Sequence, residues 1–134
     1  MWRLEHLDRR VRFLFAGGSA AGLSWVARFL FSTALPYPAA VAAATATGMI
    51  FGFFAYRNLV FPDSRRPLIA QLCGFLVVNL IGGAVTVAVA MFTCNHVLLP
   101  LGFAAAAPAS HAIGIAAGAV ANYLGHKTIT FNTA

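Results

Sequence analysis

Tyr56-Arg57-Asn58-Leu59-Val60-Phe61 and His126-Lys127-Thr128-Ile129-Thr130-Phe131 each close a long apolar stretch. Setting Phe131 on Phe61 gives an offset of 70, at which Arg57 falls on Lys127, Ala55 on Gly125, Phe53 on Tyr123 and Gly48 on Gly118. The chain reads as two related halves, each leaving its apolar segment through a small, then cationic, then aromatic exit. A repeat of this kind in so short a hydrophobic chain points to transport more than to chemistry.

Of the 134 residues, 60% are hydrophobic and 9% charged, with a mean hydropathy of +0.81. A soluble domain needs more charge to cover its surface, so the composition indicates an integral membrane protein. A helix crosses the hydrocarbon in ~20 residues at ~1.5 Å each. Four such stretches fit, roughly 11–35, 38–61, 67–93 and 109–128, with little chain left for a separate catalytic domain. The apolar run from Val11 continues too long for a cleavable signal. Residues 1–10 mix Trp2, Leu4 and Leu7 with charges, as a short interfacial helix does. The expected fold is all-α: an integral membrane four-helix bundle of two parallel helical-hairpin repeats, forming a single domain over 1–134.

The net charge of +6 is placed at span ends. Arg3, Arg9, Arg10 and Arg12 precede the first span, Arg57, Arg65 and Arg66 flank the middle break, and Lys127 closes the fourth. The connections around Pro36-Tyr37-Pro38 and from Cys94 to Ala106 carry no Lys or Arg. The positive-inside rule then puts both termini and the middle loop in the cytoplasm. Anionic membrane lipids are the partners this pattern implies, and nucleic acid is not, because the cations form no patch on a soluble face. Cys73 and Cys94 stand about 30 Å apart along one span and cannot pair.

Small residues recur at helical spacing: Ala44, Gly48 and Gly52 in the second span, Gly114 and Gly118 continuing to Asn122 in the fourth. Lipid gives no hydrophobic drive between helices, so close backbone approach over such faces holds them together. The contact lies within one chain or between two copies, and a homodimer is therefore one allowed assembly.

Polar groups at membrane depth are costly and are site candidates by default. Arg28 is the sharpest, sixteen residues beyond Arg12. It either snorkels to the outer surface or serves as a fixed cation for an entering anionic group, to which its planar fork suits phosphate. Trp25 shares its face and can stack on a sugar ring or join the aromatic belt. Asn79 and Asn122 either bond between helices or read sugar hydroxyls. His111 reads as structural, and Ser24, Thr45, Thr47 and Thr86 can bond their own preceding helical turn. The acids Glu5, Asp8 and Asp63 all fall outside the spans, and the sequence holds no nucleophile–base set, metal cluster or phosphate-cradling loop. No enzyme activity, cofactor or metal is expected.

Arg12-Phe13-Leu14-Phe15-Ala16-Gly17-Gly18, the Tyr56–Phe61 exit, and Asn122-Tyr123 leading into His126–Phe131 together resemble the GtrA-like family of four-span bacterial membrane proteins. The resemblance covers residues 12–131. It implies a place in cell-surface polysaccharide or glycolipid synthesis at the bacterial inner membrane. There the protein would move a polyprenyl-phosphate-linked monosaccharide from the inner to the outer leaflet. Such cargo needs a polar, laterally open groove with cations for the phosphate. Arg57 and Lys127 at the cytoplasmic ends, with Arg28 further out, would be successive phosphate stations. Asn79, Asn122, Trp25 and Tyr123 would face the sugar. Two alternatives differ in class. A non-transporting anchor would hold a partner glycosyltransferase at the membrane. A small multidrug exporter would need a membrane-embedded carboxylate, which this sequence lacks.

Overall fold

Asp8 starts the first helix by accepting a hydrogen bond from the Arg10 N–H at 2.8 Å. The computed structural model describes residues 6–132, which form helices and turns with no strand among them. Contacts divide the chain into two compact units, Met1–Ser64 and Arg65–Ala134. Each unit is one helical hairpin.

In the first, α1 (Arg9–Phe31) packs on α2 (Tyr37–Ala55), which runs directly into a π-helical turn, Tyr56–Val60. The expected first span reaches residue 35, but the helix stops at Phe31. There the Thr33 hydroxyl donates to Leu30 O at 2.7 Å and the chain turns toward Pro36, the N-cap of α2. The interfacial helix expected over 1–10 lies partly outside the described residues, and regular helix begins at Arg9.

In the second hairpin, α3 (Leu68–Thr93) starts after Pro67 and ends in a π-helical turn, Cys94–Leu98. Gly102, at φ +69°, turns the chain there in a conformation glycine adopts without strain. The helix α4 (Ala106–Gly125) returns along α3 and passes into a third π-helical turn, His126–Thr130. Pro108 does not break this helix. It sits in the first turn, where no backbone donor is needed.

Both hairpins place small residues inside and large ones outside. Ala40, Ala44, Gly48 and Gly52 are buried along α2, and Ala106, Ser110, Gly114 and Gly118 along α4. By contrast Leu30 is 69% exposed and Leu80 79%. Water would not tolerate so much exposed apolar surface, whereas lipid does. Three helical segments, Arg9–Phe31, Ala39–Val60 and Leu68–Leu98, are long and apolar enough to cross a membrane. The sequence of α4 is diluted by Ser110, His111, Asn122 and Tyr123 and does not join them by that measure.

The small faces sit inside each hairpin. A Cβ on Gly48 would lie 2.9 Å from Ala20 O and 2.8 Å from the Ser24 Cβ, and one on Gly118 would meet Gly82 O at 2.9 Å and the Thr86 hydroxyl. Ala20 and Gly82, like Ser24 and Thr86, are 62 residues apart, so the first helices of the hairpins correspond at 62 while the exits correspond at 70. Thr86 completes its hydroxyl on Gly82 O at 3.0 Å, as Thr47 does on Ala43 O at 2.9 Å. Gly118→Val should therefore force α3 and α4 apart and cost about 1–3 kcal/mol or more by overpacking. Gly22→Ala and Gly83→Ala, at sites where a Cβ meets nothing within 4 Å, should fold normally. Unfolding in graded denaturing detergent, followed by circular dichroism, checks the contrast.

Candidate functional site: the two hairpin exits and the Arg28 hollow

Each exit is built on one ring pair, one carbonyl and one buried phenylalanine. The first closes by a bond from the Phe61 N–H to Tyr56 O at 2.8 Å, the second by a bond from the Phe131 N–H to His126 O at 2.9 Å. These i to i+5 bonds define π-turns, which insert one residue per turn and so redirect the side chains that follow. Phe61 and Phe131 are both fully buried. Tyr56 stacks on Phe13 with centroids 4.8 Å apart, and His126 stacks on Phe75 at 5.1 Å. His126 Nδ1 also lies 2.9 Å from the Thr130 hydroxyl. The repeat legible in the sequence is thus a repeat of local geometry.

Arginines close both exits. In the first, Arg12 Nη1 donates to Leu59 O at 2.6 Å. Arg9 pairs with Asp63 at 3.2 Å and stands 5.6 Å over the Phe61 ring. In the second, Arg66 Nη1 donates to Ile129 O, and the buried Gln71 donates to Arg66 O at 2.9 Å. A helix leaves its last carbonyls without intrahelical partners, and Arg12 and Arg66 supply them at Leu59 and Ile129.

The seven residues expected at the site divide between the hairpins. Arg28 lies in the last turn of α1, half-buried, with its guanidinium 4.2 Å from the Phe29 ring centroid. It is nearer the helix end than a span reaching residue 35 implied. With Trp25, Ser24, Ala21, Val41, Ala44 and Thr45 it lines an open hollow of about 310 Å³ between α1 and α2. Trp25 is exposed and meets Phe29 edge-on at 4.9 Å. Arg57 sits at the other end of this hairpin, in the exit turn, about 24 Å along α1 from Arg28 if measured from Arg12.

In the second hairpin Lys127 occupies the equivalent place in its exit turn. Asn79 is spent on its own helix, donating to Phe75 O at 2.8 Å. Asn122 packs its amide against Gly82, and its Oδ1 is buried with no hydrogen-bond partner among the described residues. Tyr123 is half-buried beside it in sequence. Within each hairpin, then, Arg28 and Trp25 share one hollow, while Arg57 and Lys127 each belong to an exit.

Charge pattern marks Arg12 and Arg66 only as topology signals, and their backbone contacts leave no trace in sequence spacing. Ser24 and Thr45, which can bond their own helix, both line the Arg28 hollow. A second offset would have exposed the correspondence of the first helices: Phe13 to Phe75 is 62, not 70.

The fold and its apolar exterior define a small helical membrane protein of two hairpins. A family model for the GtrA/DPMS transmembrane domain matches residues 12–131, and the chain belongs to that family. The membership ties it to membrane glycosyl-lipid function. No curated protein and no solved structure matches the chain.

The stacked exit makes a specific demand on Gly17, since a Cβ there would come 2.7 Å from the Tyr56 hydroxyl oxygen. Gly17→Ala should lower stability by about 1–3 kcal/mol, and adding Tyr56→Phe should recover part of the loss. The comparison is made by unfolding the two single variants and the double variant in detergent.

Proposed function

We propose that this protein translocates a polyprenyl-phosphate-linked monosaccharide between membrane leaflets, for cell-surface polysaccharide or glycolipid synthesis. It would do so as a single four-span domain in a bacterial inner membrane with both termini cytoplasmic. The observation that carries the reading is the Arg28 hollow. A guanidinium, an indole and two hydroxyl residues line one open cavity between α1 and α2.

The chemistry of the cargo explains the match. An isoprenoid tail can remain in lipid while the phosphate and sugar hydroxyls need polar cover during crossing. A planar guanidinium binds phosphate through paired donors, and an indole face stacks on the apolar face of a sugar. Arg57 and Lys127, at the cytoplasmic exits, would meet the phosphate first and Arg28 would meet it later. Asn122 Oδ1, buried against Gly82 with no partner among the described residues, would become an acceptor for a sugar hydroxyl only where α3 and α4 part. Among the described residues the acids are Asp8, which caps α1, and Asp63, which pairs with Arg9. Neither lies within a span, so the reading has movement down a gradient set by consumption of the cargo outside.

The test is transfer itself. Purified protein in vesicles should expose a polyprenyl-phosphate monosaccharide, loaded in one leaflet, to an enzyme or reagent confined to the other side. If protein-loaded vesicles show no faster exchange than empty ones, the reading fails and an anchoring role takes its place.

Two further outcomes follow from the same scheme. Single cysteines placed at Asp63 and at Phe103 should label from opposite faces of the membrane, because the arginine distribution would put the Asp63 turn inside by the positive-inside rule. Labelling of both from one face would remove the basis for the exits as cytoplasmic entry points. Arg28→Lys keeps the charge without the fork and should retain part of the exchange rate. Arg28→Gln should lower that rate and the affinity for polyprenyl phosphate by about tenfold or more. Unchanged binding by well-folded Arg28→Gln would take Arg28 out of the path.

A further inference from the structure

We propose that Arg12 and Arg66 are positioning residues: each holds an exit turn by its carbonyl and thereby sets the direction of the cation that the turn carries, Arg57 or Lys127. The role assigned to those two cations rests on the translocation reading above. The clamp itself rests on geometry alone.

Leu59 and Ile129 are equivalent at the offset of 70, and each is the third residue of its exit after the stacked aromatic. Arg12 reaches Leu59 O from inside α1, and Arg66 reaches Ile129 O from the segment before Pro67, outside α3. At the helix offset of 62 the counterpart of Arg12 is Gly74, not Arg66. The two hairpins therefore satisfy the same carbonyl by different routes.

Gly74 shows why. A Cβ there would stand 2.9 Å from the Thr130 Cα, so the second exit lies directly on the α3 backbone and leaves no room for a side chain at that position. An arginine from another segment makes the contact instead. A bond carried along passively with a duplicated hairpin would use aligned residues. One rebuilt from a different position indicates that the tie to the carbonyl is what the exit requires.

The tie has a definite mechanical consequence. Each turn is pinned at its start by a stacked ring and at its end by a buried phenylalanine. The arginine adds a third point in the middle, two residues after Arg57 in one hairpin and two after Lys127 in the other. With the backbone fixed on both sides, the cation searches side-chain rotamers only. Arg12 is held at some cost, because its Nε is buried without a hydrogen-bond partner among the described residues.

The experiment uses the full-length protein in vesicles, with Cys73 and Cys94 replaced by alanine and a spin label on Asn58→Cys or Thr128→Cys, both exposed positions. Arg12→Gln should raise label mobility at 58 by about twofold and leave 128 unchanged, and Arg66→Gln should do the reverse. Arg12→Lys, whose ammonium can still donate to Leu59 O, should restore part of the order at 58. Labels that do not respond, or that respond equally at both exits, would overturn the clamp. Polyprenyl phosphate provides the second readout. Arg12→Gln should weaken its binding about fivefold or more alone, but add little in an Arg57→Gln background, because one residue acts through the other. Additive losses would overturn the positioning role. If the unaltered protein neither binds nor exchanges the lipid, the translocation reading fails, while the label mobilities still decide the clamp.

Discussion

Close approach of helix backbones is the constraint on which the rest of this structure depends. In lipid a leucine gains nothing by leaving its neighbours for another leucine, so helix pairs adhere where small residues bring many atoms into contact at once. Gly48 and Gly118 mark those places, each facing a carbonyl of the partner helix in its own hairpin. The large side chains are displaced outward as a result. The apolar exterior is therefore a consequence of how the interior packs, as well as an adaptation to the solvent.

Backbone chemistry then shapes the ends. A hairpin that enters and leaves the membrane must supply partners for the last carbonyls of each helix. Here α2 and α4 do not simply stop. They widen into π-turns, tuck a phenylalanine beneath, and receive an arginine on a carbonyl of the turn. The arginines that the positive-inside pattern would count as topology signals thus do two kinds of work. Arg9, Arg12 and Arg66 are engaged with the protein's own acid and carbonyl groups, whereas Arg10 and Arg65 are exposed to the medium.

Much of the fold was legible because its determinants are local and periodic. The pairing of Arg57 with Lys127 and of Gly48 with Gly118 needed only an offset, and the i, i+4 glycine faces needed only the helical period. Helix ends were less legible. The fourth helix starts at Ala106, ahead of the span expected from 109, because a proline at 108 in a first turn breaks nothing, and α1 stops short of residue 35 because Thr33 and the following turn end it. The site was legible in residue type but not in grouping. Arg28 and Trp25 share a helix face by spacing, whereas the contribution of Thr45 depends on how α2 lies against α1. The carbonyl contacts of Arg12 and Arg66 span 47 and 63 residues, a separation at which periodicity says nothing.

The two hairpins are alike in architecture and unlike in chemistry. Tyr56 is matched by His126, Arg57 by Lys127, and Gly52 by Asn122. The first hairpin has a fork-shaped cation at its exit and another in its hollow. The second has a point charge at its exit and an amide acceptor along its helix. Guanidinium holds phosphate through paired, directional donors, while ammonium holds it as a charge that tolerates reorientation. On the translocation reading proposed above, the first exit would hold a phosphate through directional donors and the second through charge alone.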